Sequence, residues 1–171
     1  MSETCSECGA PVTPELRAYQ YKESGLPNLF LLGVEVAECP NCGGVDVTIP
    51  QPLKIHQRIA LALAKSLRRL TGPQLRFLRE YLNLTAEQLG QYIHVDPQAI
   101  SKWELEDEPI NPSSERLLRL LTAALDQELA PSLSQIAEVF PHISDESGGD
   151  LTLYVDATSL ATDFRLGLRA A

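Results

Sequence analysis

The placement of four cysteines constrains this chain more than any other feature. They fall as two pairs, Cys5/Cys8 and Cys39/Cys42, each a Cys-x-x-Cys followed by Gly, with 30 residues between the pairs. Two residues between thiolates let one tight turn aim both sulfurs at one ion, and Gly9 and Gly43 permit the left-handed backbone that completes such a turn. Two turns together make a tetrahedral donor set. With all four positions taken by sulfur, no coordination site stays open for a catalytic water, so an ion held there is structural. The spacing therefore predicts one structural zinc per chain on Cys5, Cys8, Cys39 and Cys42. The alternatives are free buried cysteines or a redox pair. A redox Cys-x-x-Cys usually occurs once and opens a helix, whereas here it occurs twice among strand-like residues. Four thiolates around a divalent ion would take the formal net charge from −9 to about −11.

At 171 residues the chain is long enough for one large domain or two small ones, and its composition shifts favour two modules. Residues 1–50 are short apolar runs punctuated by Gly, Pro and Asn, with strand-like stretches at Leu16–Glu23 and Leu29–Ala37 around a turn at Ser24-Gly25. A β unit of this size needs a metal to supplement its small core. Pro50 and Pro52 then break strand and helix alike. Residues 51–70 carry five cations and no carboxylate, the only basic segment in an acidic chain. Their apolar spacing of three and four predicts a helix from Leu53 to Leu70. Further helices are expected at Pro73 to about Leu82, Thr85–Ile93, Pro97 to about Leu105, Ser113 to about Leu129 and Ser132–Phe140. Ser144–Asp150 reads as a polar loop, Leu151–Val155 as a strand, and the remaining tail has no clear pattern. The expected organisation is α+β: a four-cysteine zinc-ribbon-like unit (1–50), a basic linker helix (51–70), an all-α unit (71–140) and a C-terminal loop and strand extension (141–171). No stretch approaches the roughly 18 consecutive apolar residues of a membrane span, and Met1–Cys5 has no feature of a secretory signal, so a soluble cytoplasmic protein is expected.

The segment Leu84–Glu104 is more specific than an amphipathic helix. Thr85 and Gln88 fit a capping box, Asp96-Pro97 fits an N-cap followed by a first-turn proline, and about three residues separate the two short helices so defined. Leu89, Ile93, Val95, Ile100 and Trp103 would close an inner face, and Gly90 would let the helices cross closely, as in a helix-turn-helix. The outer face would present Gln98, Ser101 and Lys102. Gln suits adenine and Lys suits guanine in the major groove of double-stranded DNA. Arg76, Arg79 and Arg68 are the candidate phosphate contacts, needed because Glu104, Glu106, Asp107 and Glu108 crowd the end of the second helix. The bland alternative is a helical packing unit with a polar surface.

These residues resemble the MqsA-like (YgiT-type) antitoxin regulators, in which a zinc domain with four cysteine ligands precedes an Xre- or Cro/C1-type helix-turn-helix. The resemblance covers about residues 5–125. It rests on the two Cys-x-x-Cys pairs, Gly25-Leu26-Pro27, Leu75-Arg76-Phe77-Leu78-Arg79 and Ile100-Ser101-Lys102-Trp103-Glu104. It implies a homodimeric repressor that binds a palindromic operator through the positions of Gln98 and Lys102, with a toxin protein as a possible partner of the zinc domain. Ala86 and Leu105-Glu106 depart from the family pattern, which places a phosphate-contacting Gln and an Asn-Gly there. The rival expectation is a zinc-containing protein-interaction adaptor with a degenerate helix-turn-helix. An enzyme is not expected, since His56, His94 and His142 lie far apart with no nucleophile arranged near them. Two dimer contacts suggest themselves: the basic helix, and the C-terminal strand if its edge is unpaired.

Overall fold

A computed structural model describes residues 3–147 and 151–166. In chain order the elements are β1 (Glu3–Thr4), β2 (Pro11–Val12), β3 (Glu15–Gln20), β4 (Leu29–Glu38), β5 (Val45–Thr48), α1 (Pro52–Ala64), β6 (Arg68–Arg69), α2 (Gly72–Tyr81), α3 (Ala86–Ile93), α4 (Pro97–Glu104), α5 (Pro112–Ala124), α6 (Leu133–Val139), β7 (Ser144–Ser147), β8 (Leu151–Asp156) and β9 (Thr162–Leu166). The fold is α+β, with strands at both ends of the chain and the helices between them.

The longest strand organises the larger sheet. On β4, Leu29, Leu31, Val34 and Val36 are buried, so the two-residue alternation skips one position at Gly33. Gly33 has φ of +70°, and the pairing with β3 shifts register there, between Arg17↔Val34 and Tyr19↔Leu31. The extra residue is a β-bulge that keeps both halves of the strand facing the same core, which an unbroken period of two could not do. Along its other edge β4 pairs antiparallel with β5 through Glu35–Glu38 and parallel with β8 through Leu29–Leu32. Strand β9 then adds antiparallel to β8.

This topology changes one expectation: the C-terminal strand is not an unpaired edge, because β8 lies between β4 and β9. One apolar cluster runs from Leu29, Leu31 and Val34 through Ile55, Ile59 and Leu63 of α1, Leu75 and Leu78 of α2, and Leu118 of α5, to Leu153 and Val155 of β8. Among the described residues the cysteine end has its own small cluster, of Cys5, Val12, Ala37 and Cys39.

The basic helix ends at Ala64 rather than Leu70. The reason is Arg119, whose guanidinium is fully buried. It donates to the carbonyls of Leu63, Ala64 and Ser66 at 2.7–3.2 Å and of Arg68 at 2.6 Å, satisfying groups that a helix end leaves without partners. Glu115 holds the guanidinium at 2.7 Å and accepts the Leu70 N–H at 3.0 Å. With these partners supplied from α5, residues 66–70 need no helical bonds. Arg68 and Arg69 instead pair with Ser144–Ser147, where the polar pattern predicts a loop; residues 148–150 of that loop lie outside the described residues.

Helix α5 likewise stops short of Leu129. Asp126 accepts from the N–H groups of Glu128 and Leu129, an Asx-type bond that competes with helix continuation. The expected first strand ends at Gln20, where a 3-10 turn (Lys22–Ser24) leads to Gly25 at φ +74°. The three histidines stand in separate places in the fold. His56 Nε2 lies 2.9 Å from the Tyr21 hydroxyl and edge-on to Phe77, and burial lowers its pKa. His94 ends α3 in the left-handed conformation, and His142 closes a short 3-10 turn.

Candidate metal centre and nucleic-acid interface

Each Cys-x-x-Cys-Gly folds as the same turn. The Gly9 N–H donates to the Cys5 carbonyl and the Gly43 N–H to the Cys39 carbonyl, at 3.0 and 2.9 Å, with both glycines near φ +72°. The Cys5 and Cys39 N–H groups bond the carbonyls of Ala10 and Gly44 beyond each turn. The two turns face one another across the strand ends. Cys5 Sγ lies 3.6 Å from Cys42 Sγ and Cys8 Sγ 3.5 Å from Cys39 Sγ, and all four sulfurs fall within 4.8 Å of one another. Sulfurs bound tetrahedrally at about 2.3 Å from one ion sit about 3.8 Å apart, so this cluster has the right donors at the right separation to hold a metal ion.

Outer contacts orient the sulfurs. The Asn41 amide reaches Cys8 Sγ at 3.5 Å, and Ser6 donates to Asp46 at 2.8 Å, tying the first turn to β5. Cys8 is pulled down to about 6, first by the Asn41 amide and then by the Ala10 N–H. The Gly44 N–H favours the Cys42 thiolate, but the surrounding sulfurs outweigh it and push that thiol up to about 12. A thiolate shared among four sulfurs resists a second until a cation compensates the charge. Asn41 was not evident from sequence; its place between the cysteines of the second pair was the one available signal.

The second site is built around α3 and α4. Thr85 Oγ1 accepts the Gln88 N–H at 3.1 Å, and Gln88 returns an acceptor to the Thr85 N–H at 2.8 Å, completing the expected capping box. The turn is fixed by His94 at φ +53°, by the Val95 N–H bonded to the Gly90 carbonyl, and by Asp96, whose carboxylate accepts the Gln98 N–H at 2.7 Å. A Cβ on Gly90 would stand 2.5 Å from the Val95 carbonyl oxygen. Leu89, Ile93, Ile100 and Trp103 are buried, as the inner face requires.

Gln98, Ser101 and Lys102 share the exposed face of α4. Ser101 donates back to the Pro97 carbonyl, Gln98 projects free of any side-chain bond among the described residues, and Lys102 forms an ion pair with Glu108 at 2.8 Å. That carboxylate, first by hydrogen bond and then by charge, raises the Lys102 pKa.

The three arginines are placed differently from one another. Arg76 is exposed on α2 and paired with Glu80. Arg79 is 13% exposed, and Glu104 grips it through both carboxylate oxygens, at 2.5 and 2.9 Å, while its third nitrogen donates to the Leu84 carbonyl. This guanidinium clamps α2 to the end of α4 with three of its five N–H donors. Arg68 lies on β6, paired with Glu146. The same geometry disposes of part of the acidic crowding. Glu104 faces Arg79, and Glu106 accepts the Gly72 N–H at 3.0 Å, at the positive end of α2. A second capping box, Thr71 with Gln74, starts α2, and its Thr-x-x-Gln spacing is a signal that the sequence carries as plainly as the one at Thr85.

A family model described as helix-turn-helix matches residues 75–123. No curated protein and no solved structure matches the chain. Residues 75–123 run from within α2 through α5, so the match, the capped turn and the outward face of α4 coincide, and this part of the chain is a helix-turn-helix unit of the kind that suggests a DNA-binding regulator.

Proposed function

We propose that the protein is a sequence-specific DNA-binding transcriptional regulator, not an enzyme, with a structural zinc on Cys5, Cys8, Cys39 and Cys42, acting as a homodimer on a palindromic operator. The observation that carries this reading is α4: a short helix capped at the turn, backed by Ile100 and Trp103, that holds Gln98, Ser101 and Lys102 outward together. We further propose a cytoplasmic location and an antitoxin role with a toxin protein bound at the zinc end, the latter supported by the resemblance to MqsA-like regulators.

The test is titration of parent and variants against the upstream region of its own gene and against scrambled DNA over a salt series. Gln98→Ala should cost roughly 1–3 kcal/mol on the cognate site and little on scrambled DNA, since a Gln–adenine pair reads sequence while phosphate contacts do not. Lys102→Ala should reduce both specificity and salt dependence. If both variants bind the cognate site like the parent, α4 is not the reading helix.

One observation favours a second reading, an adaptor that binds protein instead of DNA. Each cation assigned to DNA is bonded to a carboxylate: Arg68 to Glu146, Arg76 to Glu80, Arg79 to Glu104 and Lys102 to Glu108. Phosphate must displace those carboxylates before counterion release can drive binding. A parent protein with no measurable affinity for either DNA at low salt would put the adaptor ahead.

A further inference from the structure

Four carboxylates stand at the end of α4, on Glu104, Glu106, Asp107 and Glu108. Two are turned into the fold: Glu104 grips Arg79, and Glu106 accepts the Gly72 N–H at the start of α2. Glu108 reaches back to the exposed face of α4, where its carboxylate accepts from Lys102 Nζ at 2.8 Å. The loop is built to bring it there. The Glu106 N–H bonds the Trp103 carbonyl at 3.2 Å and the Asp107 N–H bonds the Lys102 carbonyl at 2.9 Å, with Glu106 at φ +63°, so α4 ends in a Schellman turn. Glycine usually takes that left-handed position, and Glu106 holds it through its bond to Gly72. A Cβ on Gly72 would stand 2.5 Å from the Glu104 carbonyl oxygen, so the end of α4 rests on the start of α2. Beyond Glu108, Ile110 is buried and its carbonyl accepts from Arg69, which anchors the far side of the loop.

A lysine held by a carboxylate is a poor ligand for DNA in general. Random binding is driven by cations that release counterions from phosphate, and a paired lysine must first exchange one anion for another. A guanine in register differs, because its O6 and N7 accept in a fixed direction beside the base contact of Gln98, and those bonds offset the broken pair. An ion pair half exposed on both sides costs little to break, so it can discriminate without blocking the operator. We infer that Glu108 is a specificity-determining residue of the reading helix, holding Lys102 back from phosphate on random DNA and yielding it to a base on the operator. The inference rests on the proposed reading of DNA by α4. It gives a use to one charge of the acidic run that, in sequence, stands only as an obstacle to phosphate.

The experiment is a double-mutant cycle in the full chain. Parent, Glu108→Gln, Lys102→Ala and the double variant are titrated against the upstream region of the gene and against scrambled DNA over a salt series, with circular dichroism to check folding. Glu108→Gln should bind scrambled DNA at least about threefold more tightly at low salt, with a salt slope steeper by about one unit, as one freed lysine adds one phosphate contact. Its gain on the cognate site should be smaller, so the ratio of the two affinities falls. With alanine at position 102, Glu108→Gln should do no more than Asp107→Asn, which removes the same charge one residue away. A parent that binds neither DNA sinks the reading of α4 and this inference with it. A parent that binds the cognate site, beside a Glu108→Gln variant that matches it on scrambled DNA, gains equally on both DNAs, or gains as much without Lys102 as with it, overturns only the role of Glu108.

Discussion

Arg119 shows how one residue can decide the course of a chain. Buried charge is costly, and desolvation lowers its pKa even though Glu115 pulls the other way. What keeps it is hydrogen bonding: four backbone carbonyls and one carboxylate surround its donors. Those carbonyls belong to the end of α1 and the turn after it, so α5 dictates where α1 stops. Arg119→Met keeps most of the volume and removes every donor, taking the buried carbonyls' side-chain partner away and leaving Glu115 with only Arg69 and the Leu70 N–H. It should cost about 3–5 kcal/mol of folding stability in urea titration. Glu115→Gln should cost distinctly less, because Arg119 keeps its carbonyls. Equal losses in the two variants would mean that the ion pair, not the carbonyl set, holds this corner. None of this was legible in the sequence, where no local pattern marks Arg119 for burial.

Among the elements, the legible ones were those whose reasons are local. The turns around Cys5 and Cys39, the box at Thr85 and Gln88, and the Asp96-Pro97 start need only neighbours a few residues away, and the structure forms each of them. Helix ends set by distant partners were misjudged, α1 by Arg119 and β6 by its pairing with β7. Candidate site residues divide the same way. Position on a capped helix is enough to expect Gln98 and Lys102 on its exposed face, where they stand, but only the three-dimensional arrangement shows Glu104 gripping Arg79 and Glu108 holding Lys102. Gly90 tests the local kind. Alanine is ordinarily favoured over glycine within a helix, yet here its Cβ would press on the Val95 carbonyl at 2.5 Å. Backbone lies on the far side of that contact and cannot swing away. Gly90→Ala should therefore lower stability by about 1–3 kcal/mol and splay α3 from α4, weakening DNA binding more than global unfolding explains. A variant as stable as the parent would show the turn to be softer than its packing indicates.

At the scale of the molecule, the chain is stitched from its two ends. The sheet takes β3, β4 and β5 from the first fifty residues and β8 and β9 from the last, and its buried face packs on the same core as α1 and α2. Among the described residues no helix is long and apolar enough to cross a membrane. The cysteine cluster stands apart, joined to the rest through β4 and β5 but with its own four buried residues. Losing metal and losing the N-terminal strands are therefore different injuries. A chelator should unfold the cysteine turns, since metal binding and folding are coupled there, and leave the helical signal in circular dichroism largely intact. Cutting the chain at Pro52 should do much more. It uncovers Leu153 and Val155, takes away Leu29, Leu31, Val34 and Val36 from over α1, and leaves β8 with an open edge. Each buried leucine or valine so lost is worth about 1.5–3 kcal/mol, and several together exceed the stability margin of a chain this size. Residues 53–171 should aggregate or melt far below the parent, while the chelated full chain melts close to it in calorimetry. A truncated chain as stable as the chelated one would mean that the sheet and the helices hold together independently.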